Sequence, residues 1–86
     1  MSYKITIKKQ VWKKLRSLDK PSQLRIIDKL NTLSYNPDDP ALDIKQLRGK
    51  PHYRLRVGDW RMLFLCEEVL KIISVEKLKS RGDIYK

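Results

Sequence analysis

The chain has 86 residues, and 20 Lys and Arg against 10 Asp and Glu give it a net charge of +10 with a pI near 10.0. That length predicts a single domain over residues 1–86 with one modest core, because a chain this short buries only about 60–65% of its unfolded surface. An apolar content of 41% in regular periods excludes a disordered chain, and no stretch approaches the ~20 apolar residues of a membrane span.

Tyr3-Lys-Ile-Thr-Ile7 alternates apolar and polar residues and reads as a short strand. From Lys9 the period becomes helical: Val11, Trp12, Leu15 and Leu18 share one face, with Lys13, Lys14 and Arg16 on the other, a solvated face that could also touch a large RNA. Asp19-Lys-Pro-Ser22 breaks this helix and starts another, since proline is tolerated in a first turn. Leu24, Ile26, Ile27, Leu30 and Leu33 line the second helix, which must end before Asn36-Pro-Asp-Asp-Pro40. From there the pattern is strand-like. Tyr53–Val57 alternates, Gly58-Asp59 supplies a tight turn, Trp60–Cys66 has the apolar second half of a central strand, and Leu70–Val75 runs back after Glu67-Glu68. The expected order is β-α-α-β-β-β, an α+β fold with a helical hairpin on one side of a mostly antiparallel four-stranded sheet.

The charge excess is distributed along the chain: residues 1–44 hold 9 basic and 5 acidic side chains, and residues 45–86 hold 11 and 5. Such a field attracts nucleic acid, an acidic membrane surface or an acidic protein. Cys66 is the only cysteine, so no internal disulfide and no cysteine-rich zinc pattern exists. It sits in the apolar run Met62–Cys66 and is expected to be a small core residue. The N-terminus lacks the long apolar segment of a signal peptide, and a cytoplasmic protein is expected.

There is no glycine-rich phosphate loop, no metal-ligand cluster and no nucleophile elbow, so neither a metal nor a cofactor is expected. What stands out is a polar set in the second half: Lys45, Arg48, Lys50, His52, Arg54, Arg56, Arg61, Lys77, Lys79, Arg81 and Tyr85. Side chains of a strand point alternately to its two faces, so Tyr53, Leu55 and Val57 can face a core while Arg54 and Arg56 stand together on the other side. Two adjacent guanidiniums repel each other unless an anion lies between them, and phosphate suits the bidentate geometry of arginine. RNA cleavage by a ribose 2′-hydroxyl needs in-line positioning, cations aimed at the phosphoryl oxygens and a path for two protons. Arginine supplies the second but cannot move protons. A lysine, His52 or Tyr85 would have to. The same residues also admit plainer readings. Arg54 and Arg56 could be a charged edge that blocks aggregation, His52 a turn residue beside Pro51, and Tyr85 a ring packed on a sheet edge.

Leu47-Arg-Gly, the segment Tyr53-Arg-Leu-Arg-Val-Gly-Asp-Trp-Arg61 and the ending Ser80-Arg-Gly-Asp-Ile-Tyr-Lys86 resemble the RelE/ParE superfamily of toxins from toxin–antitoxin pairs, the RelE-like branch in particular, essentially from end to end. The resemblance implies a metal-independent endoribonuclease that enters the ribosomal A site, cuts mRNA there and inhibits translation. It implies that Arg54 and Arg56 hold the scissile phosphate, that Arg61 matches an active-site arginine, that Arg81 stabilises the phosphorane and that Tyr85 stacks on or orients the nucleotide at the cut. Lys45, Arg48, Lys50, His52, Lys77 and Lys79 are expected to add RNA contacts. An acidic, amphipathic antitoxin is the expected partner, in a hetero-oligomer. Two features depart from the family pattern: Lys79-Ser80 replaces the Gly-His of many relatives, and Arg54 and Arg56 stand where RelE has lysines. Two other functions share the fold or the charge: a ParE-like inhibitor of DNA gyrase, and a non-catalytic RNA-binding protein descended from a toxin.

Overall fold

The computed structural model describes residues 2–80, so Arg81 and Tyr85 lie outside the described residues. Its elements are β1 (Lys4–Ile7), α1 (Lys9–Ser17), α2 (Lys20–Tyr35), β2 (Asp43–Gln46), β3 (Tyr53–Val57), β4 (Trp60–Glu67) and β5 (Ile72–Ser80). The strands form one sheet in the order β1-β5-β4-β3-β2, with β1 parallel to β5 and every other pair antiparallel.

Local chemistry explains where the helices stop. The Asp19 carboxylate accepts from the Ser22 backbone N–H (3.1 Å) and from its hydroxyl (2.8 Å), capping α2 with Pro21 in the first turn. These bonds, the hydroxyl's first, hold the Asp19 carboxyl below its ordinary value. Gln23 Nε2 donates to the carbonyls of Arg16 (3.2 Å) and Leu18 (2.7 Å), using orphan acceptors at the end of α1 to lock the helical hairpin. Lys14 and Arg16 in the last turn of α1 favour the negative end of its dipole. Asn36 caps α2 just before Pro37.

The sheet has five strands where four are expected from the sequence. The additional strand, β2, reads Asp-Ile-Lys-Gln and half-buries only Ile44, so it shows almost no apolar alternation; pairing with β3 defines it. The last strand also starts later and runs further than Leu70–Val75, because residues 68–71 form the turn, with Lys71 at φ 57°, and β5 continues to Ser80.

One face of the sheet carries the core. Leu55, Val57, Met62, Phe64, Ile73, Val75 and Leu78 pack against Val11 and Leu15 of α1 and Ile26, Leu30 and Leu33 of α2. Tyr53 stacks on Phe64, with ring centroids 5.5 Å apart. The helices therefore cover this face, and the strands' alternate residues form the opposite one.

Candidate active site

Register places the basic residues of four strands on that opposite face. Lys45 pairs with Arg54 and Asp43 with Arg56 between β2 and β3; Arg54 pairs with Leu63 and Arg56 with Arg61 between β3 and β4; Leu63 pairs with Lys77 and Arg61 with Lys79 between β4 and β5. Directly paired residues point to the same side, so Lys45, Arg54, Arg56, Arg61, Lys77 and Lys79 share one surface. Two rows run across it, Lys45-Arg54-Leu63-Lys77 and Asp43-Arg56-Arg61-Lys79.

The anion that the adjacent guanidiniums require is present within the chain. Asp43 reaches from β2 to lie 3.5 Å from Arg54 Nη2 through one oxygen and 4.0 Å from Arg56 Nη1 through the other. Both contacts are long and the Asp43 side chain is 55% exposed, so this bridge contributes little stability and is open to competition by another anion. Sequence reasoning missed Asp43 because its position opposite Arg56 depends on β2, which the pattern does not reveal.

Arg61 differs from its neighbours. It is 7% exposed, and Nη1 donates to the carbonyls of Gly58 (3.1 Å) and Trp60 (3.2 Å). Its guanidinium thus closes the turn between β3 and β4. That turn needs Gly58 at φ 58°, the left-handed backbone a type II′ hairpin requires at its first central residue. Arg61 therefore holds, from within its own row, the turn that follows Arg56.

The other predicted contacts fall further away. Arg48 and Lys50 are exposed in the loop between β2 and β3, at the opposite end of the sheet from the Gly58 turn. His52, two residues before Arg54, turns toward Glu76, with Nε2 3.8 Å from its carboxylate; His52 Nδ1 is buried without a hydrogen-bond partner among the described residues. Cys66 is half-buried rather than enclosed, packed at the margin of the core. Burial, reinforced by the charge of Glu68, pushes its thiol up. It remains a protonated thiol at neutral pH and adds nothing to the basic face. Among the described residues no helix is long and apolar enough to cross a membrane.

Comparison with known proteins concerns the chain as a whole. No family model matches the chain. It is 31% identical to the candidate toxin RelE1 of Methanocaldococcus jannaschii over the whole chain and 98% of that protein. Among solved structures, RelE in the archaeal RelE–RelB complex of Pyrococcus horikoshii OT3 superposes with a TM-score of 0.85 at 36% identity, covering 96% of this chain and 99% of that one. The isolated RelE toxin of E. coli shares the fold at 19% identity, with a TM-score of 0.76 over 98% of this chain and 92% of that one. Full-length identity to a RelE toxin, with the same sheet and helical hairpin in solved relatives, means that this chain belongs to the RelE family of toxins from toxin–antitoxin systems.

Proposed function

We propose that this RelE family member is a metal-independent endoribonuclease that cuts mRNA in the ribosomal A site by attack of a ribose 2′-hydroxyl on its own 3′-phosphate. The observation that carries the reading is the pair Arg54 and Arg56, projecting from one strand onto a basic face and bridged by the half-exposed carboxylate of Asp43. A scissile phosphate competing with Asp43 would receive charge-assisted hydrogen bonds from both guanidiniums, and these strengthen as charge builds on the phosphoryl oxygens. Lys45, Lys77 and Lys79 extend the positive surface on either side and guide the flanking backbone, while Arg48 and Lys50 contact RNA further along the sheet.

Arg61 acts by holding the turn that sets the height of Arg56, as well as by adding its charge. Arg81 and Tyr85, assigned by family resemblance, stabilise the phosphorane and stack on the nucleotide at the cut. The two protons fall to lysines of this face or to Tyr85, because guanidinium groups stay charged. The partner is an acidic, amphipathic antitoxin segment that covers the basic face; the P. horikoshii relative was solved as a RelE–RelB complex, which supports a hetero-oligomer here.

Primer extension on ribosome-bound mRNA tests the reading, with wild type beside Arg81→Ala and Arg54→Ala/Arg56→Ala. Wild type should produce cuts inside the A-site codon, and both variants should lose them while keeping wild-type circular dichroism. Intact mRNA with wild-type protein on a programmed ribosome, or equal cleavage by the folded variants, would refute it.

A further inference from the structure

Glu76 is the one acidic side chain that β5 contributes to a sheet otherwise lined with cations there, and its position has a structural cause. Leu63 pairs with Lys77 and Phe64 with Val75, so Glu76 is an extra residue, a bulge in β5. A bulge re-aims the side chain it adds. The Glu76 carboxylate reaches across β4 toward His52, which stands two residues before Arg54 and so about 7 Å from it along the strand. Lys8 Nζ (3.3 Å) and His52 Nε2 (3.8 Å) both address Oε1 of Glu76. The Glu76 side chain is 19% exposed, positioned on two sides yet accessible.

A carboxylate in this position opposes a phosphate. It suits the part of a nucleotide that offers hydrogen-bond donors, the edge of a base. Single-stranded RNA is recognised through unstacked bases bonded on their Watson–Crick edges, and carboxylates accept from exocyclic amino groups. Uracil presents a single N3–H donor flanked by two carbonyl oxygens on that edge, and those oxygens oppose a carboxylate. Adenine, cytosine and guanine each present an amino group.

We propose that Glu76, held by Lys8 and His52, reads the base of a nucleotide flanking the phosphate at Arg54 and Arg56, favouring a base with an exocyclic amino group over uracil. This specificity role rests on the reading of the basic face as the RNA-cleaving surface, and its test is separable from that reading.

The test is competition binding of purified toxin to four RNA tetranucleotides of equal length that differ at one position, followed by fluorescence anisotropy. Phosphate contacts are common to all four, so the ratio of affinities isolates the base. Wild type should prefer the amino-bearing bases to uracil by about tenfold, and salt should weaken all four alike. Glu76→Gln, whose amide both donates and accepts, should bring the ratio near one. Wild-type circular dichroism of Glu76→Gln controls for a loss of folding, and Lys8→Met, which frees the carboxylate on one side, should reduce the preference. Equal affinity for all four oligonucleotides in wild type, or a ratio unchanged in Glu76→Gln, overturns the proposal. Because the readout is binding, it stands whether or not the protein cleaves, whereas failure on programmed ribosomes refutes the nuclease reading alone.

Discussion

Replacing Asp43 with asparagine should make this toxin bind RNA more tightly, the reverse of what loss of an ion pair normally suggests. The carboxylate lies 3.5 Å from Arg54 and 4.0 Å from Arg56, where the scissile phosphate is proposed to sit. Two unit charges about 4 Å apart interact by roughly 1 kcal/mol in water and by about 4 kcal/mol at an effective dielectric of 20. With Asp43 more than half exposed, the watery limit applies, and screening over a Debye length of about 8 Å trims it further. A gain of about 1 kcal/mol is a three- to fivefold lower Kd. One more phosphate contact also becomes effective, so the slope of log K against log salt should steepen by about 0.7 for a single strand. Anisotropy titrations of a labelled RNA oligonucleotide with wild type and Asp43→Asn, between 50 and 200 mM salt as is about the range in which such slopes are measured, would show both effects. Weaker binding, or the same affinity and slope, would mean that the phosphate does not compete with Asp43 and that the site lies elsewhere on the face.

Arg56 and Arg61 should separate into binding and structural roles. Arg56→Ala should weaken RNA binding with little change in Tm, since that side chain is half exposed, whereas Arg61→Ala should destabilise the fold by about 1–3 kcal/mol by orphaning the Gly58 and Trp60 carbonyls, as read by denaturant titration. Gly58→Ala should lower stability by about 1–2 kcal/mol for the left-handed backbone alone, because the added Cβ meets nothing nearer than Arg25 Nη1 at 3.8 Å. Leu55→Ala, at a fully buried position in β3, should cost about 2–5 kcal/mol. The Asp19 cap gives a pH signature. Its folded carboxyl titrates below the ordinary 3.8, so its stabilisation is complete above that value and disappears as pH falls through the depressed one. Asp19→Ala should therefore lower Tm at neutral pH, and the difference from wild type should vanish in strong acid.

Much of this protein is legible in one dimension because its signals are local. The helical hairpin follows from the 3.6-residue period of Val11, Leu15, Ile26, Leu30 and Leu33 and from Asp19-Lys-Pro-Ser22, where the cap is made within three residues of its partner. The two faces of β3 follow from alternation alone, so Arg54 and Arg56 stand apart from Leu55 and Val57 without knowledge of any neighbour. The hairpin at Gly58-Asp59 is equally local.

What depends on distant pairing was out of reach. β2 exists because β3 offers it a hydrogen-bonding edge, and only that pairing brings Asp43 to the two arginines it bridges. Arg61 looked like another phosphate ligand, yet tertiary packing turns its guanidinium onto the carbonyls of its own turn. A one-residue bulge aims Glu76 at His52, 24 positions earlier in the sequence. Periodicity reports which side of a strand a residue occupies; the identity of the residue opposite is set by register, and register is a property of two strands at once. The cations of this toxin could be read in the chain itself, but the carboxylates that temper them could be found only after it had folded.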